Sequence, residues 1–144
     1  MKRIKTVFVL IFLSVALVGC SKEISYDAYE ELIASLKNIG YTIEEEDAEN
    51  DFLAGERKWL TINDDENISV YLYESSDAME KDASYISDGG TSYDNGKEAV
   101  MIDWASYPHF YKDENMIVLY VGVDSEIIQA LEELLGPQFA GYME

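Results

Sequence analysis

The stretch His109-Phe110-Tyr111-Lys112-Asp113-Glu114-Asn115-Met116-Ile117-Val118-Leu119-Tyr120-Val121 decides the fold. Met116 to Val121 are apolar or aromatic throughout, which makes this the strongest strand signal in the chain. His109 to Lys112 leads into it across the polar turn Asp113-Glu114-Asn115, so a hairpin is expected. The same design occurs earlier, where Lys58 to Ile62 and Ile68 to Tyr73 flank Asn63-Asp64-Asp65-Glu66-Asn67. A tight hairpin turn is marked by Asp94-Asn95-Gly96-Lys97, because Asn-Gly tolerates positive φ. Tyr41-Thr42-Ile43 adds one more β-prone segment before a run of acids.

Helical periodicity appears three times. Tyr26, Tyr29, Leu32, Ile33, Leu36 and Ile39 form the first stripe, with Ser25 to cap it and Gly40 to stop it. A second helix is expected from Asp77 to Ser87, with Asp77 and Glu80 as a capping box and Met79, Ala83 and Ile86 inward. The third runs from Asp124 to Leu135 and ends at Gly136-Pro137, with Ile127, Ile128, Leu131, Leu134 and Leu135 facing the core.

These elements predict a two-layer α+β fold, an antiparallel sheet of five to six strands with three helices on one face. Asp65-Glu66-Asn67 and Asp113-Glu114-Asn115 lie 48 residues apart. Val70 and Val118 keep that offset, as do the helix stops Gly40, Asp88 and Gly136. The chain therefore reads as an αβββ internal repeat in architecture. Alternation in Ser69-Val70-Tyr71-Leu72-Tyr73 sends Val70 and Leu72 to one face and both tyrosines to the other. The face without helices is then solvated or a working surface, to which Tyr71, Tyr73, Tyr111 and Tyr120 contribute.

Composition bounds the function. The chain has 144 residues, enough for one domain. Its 29 acids against 10 bases give a net charge of −19, which excludes a general nucleic-acid binder. A hydrophobic fraction of 48% excludes a disordered acidic tail. One cysteine excludes an internal disulfide framework, and one histidine excludes a multi-histidine metal site.

The N-terminus reads as an address. Lys2, Arg3 and Lys5 precede an apolar stretch from Val7 to Val18, and Leu17-Val18-Gly19-Cys20 follows. The stretch is short of the ~20 apolar residues that a membrane-crossing helix needs, so residues 1–19 are expected to be a signal peptide. Leu17-Val18-Gly19-Cys20 resembles the bacterial lipobox. That resemblance implies cleavage before Cys20 and covalent diacylglycerol on the Cys20 sulfur; two or more acyl chains hold a protein stably where one does not. Residues 20–25 then form a lipidated tether and residues 26–144 a single extracytoplasmic domain. The tether from Ser21 to Ser25 reaches about 17 Å at ~3.5 Å per residue, which keeps the domain close to a bilayer. An acidic domain is repelled by anionic lipid within a Debye length of ~8 Å, so it stands off the surface. Ser21 resembles an outer-membrane sorting residue, for a cell with two membranes.

Two segments are candidate sites. Glu44-Glu45-Glu46-Asp47, with Glu49 and Asp51, is the densest acid cluster, and calcium takes several carboxylate oxygens. Asp47, Glu49 and Asp51 have EF-hand spacing, but Phe52 holds the glycine position and Lys58 the bidentate-glutamate position, so an EF-hand is excluded. A solvated charge run is the expected reading, and a cation or small-ligand role is the alternative. Trp104-Ala105-Ser106-Tyr107-Pro108-His109-Phe110-Tyr111 gathers four aromatics and the only histidine. Trp104, Tyr107, His109 and Tyr111 are the candidate ligand-binding residues, against a reading in which the segment is a strand entry packed on the core. His109 has no triad or metal partner set in the sequence, so no catalytic residue, metal ligand or cofactor is expected.

Trp104, Pro108-His109-Phe110-Tyr111-Lys112, Ile117-Val118-Leu119-Tyr120-Val121-Gly122 and Leu135-Gly136-Pro137-Gln138-Phe139-Ala140-Gly141 together resemble the C-terminal half of small uncharacterised bacterial lipoproteins. The resemblance covers roughly the last 40 residues and implies an envelope-associated domain without an activity to carry over. The resulting expectation is a non-enzymatic binding domain, lipid-anchored on the extracytoplasmic face of the cell membrane. Its acidic surface suits a basic protein or peptide partner.

Overall fold

The computed structural model describes residues 23–143, so the expected signal peptide and Cys20 lie outside the described residues. Three helices, α1 (Asp27–Asn38), α2 (Ser76–Ala83) and α3 (Ser125–Leu135), accompany eight strands. These are β1 (Ile43–Asp47), β2 (Glu56–Ile62), β3 (Glu66–Leu72), β4 (Ser92–Asp94), β5 (Ala99–Met101), β6 (Pro108–Asp113), β7 (Met116–Val121) and β8 (Ala140–Gly141). Six strands form one antiparallel sheet in the order β1-β2-β3-β7-β6-β8, and β4 and β5 pair separately. The α+β class and the antiparallel sheet are as the sequence predicts.

Each hairpin is closed by the chemistry of its turn. Asn63 and Asp64 both take positive φ, +51° and +62°, between β2 and β3, and Asp65 N–H donates to the Ile62 carbonyl at 3.1 Å. Asn63 Oδ1 accepts from Thr42 N–H and hydroxyl, tying the turn to the start of β1. Glu114 takes φ +50° between β6 and β7. The neighbouring Asn115 amide donates to the carbonyls of Tyr73 and Ser25. Gly96, at φ +82°, sits in the expected β4–β5 turn.

The layering differs from the expected two layers. Leu60, Ile62, Val70, Leu72, Tyr111, Val118 and Tyr120 face α1 and α3. Tyr71, Tyr73, Phe110, Ile117 and Leu119 point the opposite way and pack with Met79 and Ala83 of α2 and with Tyr93 of β4. Both faces at the sheet centre are therefore covered. Tyr71, Tyr73, Tyr111 and Tyr120 are buried, not part of an open working surface.

The 48-residue repeat is not supported. Val70 does lie opposite Val118. But β3 begins with Glu66 opposite Ile62, and the offset would set Glu114 opposite Phe110. Instead Phe110 pairs with Leu119 and Glu114 lies in the turn.

Several ends shift. The acid run is itself a strand: β1 comprises Ile43 and Glu44 to Asp47, because pairing with β2 fixes its backbone while the carboxylates reach solvent. The N-cap of α1 is Tyr26, one residue after Ser25. Ser75, not Asp77, caps α2, its side chain accepting from Ala78 N–H at 3.1 Å. The same helix stops at Ala83 because Ile86 bridges to Tyr93, which draws the chain into the β4 layer. Asp124, expected as the first residue of the third helix, is instead the N-cap of α3.

One buried carboxylate joins the α2 layer to the sheet. Asp82 accepts from the hydroxyls of Tyr73 and Tyr93, each at 2.6 Å, and from Ala54 N–H at 2.8 Å. A buried carboxylate without such donors would be costly, and these three bonds come from three different segments. Replacing Asp82 with Ala leaves two buried hydroxyls and an amide short of an acceptor. A loss of about 2–4 kcal/mol is expected, measurable by urea unfolding. Stability unchanged by Asp82→Ala would mean that the network is dispensable.

The tyrosines predict alkaline behaviour. Burial first, then the hydrogen bond that its hydroxyl donates to Asp82, pushes Tyr93 up to about 12 from an ordinary 10.0. Burial also raises Tyr111 and Tyr120 to about 12 and lifts Tyr71 and Tyr73 well above the usual phenol range. A group raised in the folded state stabilises fully below its unfolded value. The stability these tyrosines contribute is complete below pH 10 and is lost as pH climbs through about 12. Phenolate absorbance should therefore rise late, together with loss of tertiary structure. Full ionisation near pH 10 in a still-folded protein would contradict these shifts.

Candidate functional site

A concavity lies at the end of the sheet where β6 begins and β7 ends. It is a cleft of about 520 Å³ between α3 and the C-terminal segment. Tyr107 and His109 enter it from the start of β6, Val123 from the exit of β7, and Ile128 and Glu132 from α3. Pro137, Gln138, Tyr142 and Met143 close it from the C-terminal side.

Backbone constraints bring these walls together. The two residues of β8 pair with His109 and Phe110. Gly141, at φ +113°, lies so close to β6 that a Cβ would collide with the Pro108 carbonyl oxygen. Tyr142 N–H donates to that same carbonyl at 2.8 Å. These contacts carry the Tyr142 ring onto Tyr107, where the two stack with centroids 4.1 Å apart. Tyr107, Val123, Tyr142 and Met143 all keep substantial exposed surface. The stacked pair is thus a solvent-facing aromatic wall.

His109 forms the floor and is buried. Its Nδ1 lies 2.9 Å from Gln138 Oε1 and its Nε2 lies 3.1 Å from the Gly122 carbonyl. The ring also stacks on Tyr120, 5.9 Å away. Both nitrogens are thereby engaged with the protein itself, and the imidazole ties β6 to the exit of β7 and to the C-terminal segment.

Of the four residues singled out in sequence, the structure gathers two. Tyr107 and His109 line the cleft. Tyr111 lies behind it in the core, fully buried, and its hydroxyl has no hydrogen-bond partner among the described residues. Trp104 is on the other side of the sheet, packed on Phe52 and Phe110, with its indole N–H donating to the Gly90 carbonyl at 2.7 Å. Alternation explains the split: Tyr111 and Phe110 point to opposite faces, and Trp104 packs on the Phe110 face. Sequence reasoning missed Tyr142, Met143 and Gln138, which carry no local motif and join the site only through β8 pairing.

The acid run does not converge. Glu44 to Asp47 alternate across an edge strand, Glu45 accepts from the Tyr29 hydroxyl, and Asp47 pairs with Lys58. Among the described residues, no group of three metal-ligating side chains is placed to hold an ion. No described helix is long and apolar enough to cross a membrane.

The chain matches no protein-family model, no curated protein and no solved structure.

The geometry separates fold from site. His109→Ala would leave the Gly122 carbonyl and Gln138 Oε1 without their imidazole contacts and should cost about 2 kcal/mol or more in stability. Tyr111→Phe removes a buried hydroxyl that has no partner, so stability should stay within about 1 kcal/mol of the parent or rise. Thermal unfolding of both variants tests this. A strongly destabilised Tyr111→Phe would reveal a bond that the structure does not contain.

Proposed function

We propose that this chain is a lipid-anchored, extracytoplasmic and non-enzymatic binding domain of the bacterial cell envelope, and that the cleft beside His109 is its binding site. The observation that carries the reading is the cleft's construction. Its exposed walls combine Tyr107, Val123, Tyr142 and Met143 with the polar Ser125, Gln129 and Glu132, and both nitrogens of its one imidazole face oxygen atoms of the protein itself. Clefts that set polar groups among aromatic and aliphatic side chains in this way are suited to holding a ligand.

The position of the N-terminal end supports the same reading. Ser25, where the tether would enter, accepts from the Asn115 amide at the β6–β7 turn. The cleft lies at the opposite end of that hairpin. Six residues at ~3.3 Å each separate the two ends by roughly 20 Å. Asp27, Glu31, Glu74 and Glu114 surround the tether end, and such carboxylates are repelled by anionic headgroups. A domain anchored at Cys20 would therefore present its cleft away from the bilayer.

Fractionation of cells producing the parent or Cys20→Ala tests the anchor. The parent should incorporate labelled acyl chains and sediment with membranes, and the variant should do neither. A photo-crosslinking residue at Gln129, on the cleft rim, should trap a partner that the same residue at Val100, on the β4–β5 hairpin, does not. A Cys20→Ala protein that stays membrane-bound would refute the anchor, and equal trapping at both positions would refute the cleft.

A further inference from the structure

We propose that the cleft holds an arginine side chain flanked by an apolar residue, presented by a segment of a partner polypeptide. This deepens the binding reading above and rests on it. Among the described residues lining the cleft, Glu132 is the only acid, and none is a lysine or arginine. Its carboxylate has no ion-pair partner among the described residues. Glu132 stands exposed on α3, where its carboxylate is open to a partner. A lone, unpaired carboxylate beside apolar walls is half of a charge-assisted pair, and the complementary half is a cation.

The aromatic wall selects among cations. Tyr107 and Tyr142 stack face to face, with their planes 24° apart, and remain exposed. A planar guanidinium stacks on such a surface and can still engage a carboxylate through two parallel N–H bonds. The chain already shows this affinity, since the Arg57 guanidinium lies 5.2 Å from the Trp59 ring centroid and 5.9 Å from that of Tyr71. Val123, Ile128, Pro137 and Met143 then offer the contact for an apolar neighbour. The net charge of −19 would steer a basic segment toward the domain from a distance.

The test uses the full chain in phosphatidylcholine nanodiscs and three dye-labelled, end-blocked pentapeptides of sequence Ala-Leu-Xaa-Phe-Ala. Xaa is arginine, lysine or the neutral arginine isostere citrulline, and binding is read by fluorescence anisotropy. The arginine peptide should bind at least about tenfold more tightly than the citrulline peptide, with lysine between them, and its affinity should fall as salt rises. Glu132→Gln, at an exposed position, should abolish that preference without changing the melting temperature. Equal binding of the arginine and citrulline peptides would overturn the cation and leave the binding cleft standing. So would a preference that survives Glu132→Gln. If no peptide binds while Gln129 still traps a partner in cells, the arginine proposal fails and the binding reading stands. No peptide binding together with no selective trapping would overturn both.

Discussion

The antiparallel pairing of β3 with β7 is the constraint on which the rest of the structure depends. Ile68 to Leu72 run opposite Tyr120 to Met116, and all ten residues are buried. Without this seam the sheet would be two separate three-stranded pieces, β1-β2-β3 and β7-β6-β8, each too small to bury much apolar surface. With it, six strands form one sheet. The side chains alternate into two cores, one beneath α1 and α3 and the other beneath α2 and the β4–β5 pair. The cleft inherits its position from the same seam, because His109 and the exit of β7 are held at one end of the joined hairpins.

Much of this was legible in the residues. Met116 to Val121 gave the central strand with correct limits, since six consecutive apolar residues have few other uses in a chain of this length. The stripe in α3 and its stop at Gly136 were equally plain. The layering was misread from the same evidence. A strand without polar alternation is buried on both faces, and β7 carried that signal, so a one-sided sheet was the wrong inference. The short α2 could not be read locally. Its end is set by Ile86 pairing with Tyr93, a contact that depends on a later turn.

The site was legible only in part, for a related reason. A cluster of aromatics in sequence is divided by the pleat, so Trp104 and Tyr111 went to two different cores while Tyr107 and His109 reached the cleft. The remaining wall is remote in sequence. Tyr142 meets Tyr107 across thirty-five positions because the two residues of β8, one of them Gly141, allow the backbone to approach β6. Propensity contains no record of such a meeting. The acid run was also ambiguous, because its charge suggested a loop and only pairing with β2 made it a strand.

That edge strand has a further consequence. β1 ends the sheet with one side of its backbone unpaired, and such an edge is a template on which a second copy can add. Here the template carries Glu44, Glu45, Glu46 and Asp47 in succession. Two such edges brought together would crowd carboxylates against carboxylates on both faces of the joint. The run that resembles a cation site thus guards the fold against edge-to-edge aggregation. The guard is electrostatic, so it weakens at high ionic strength.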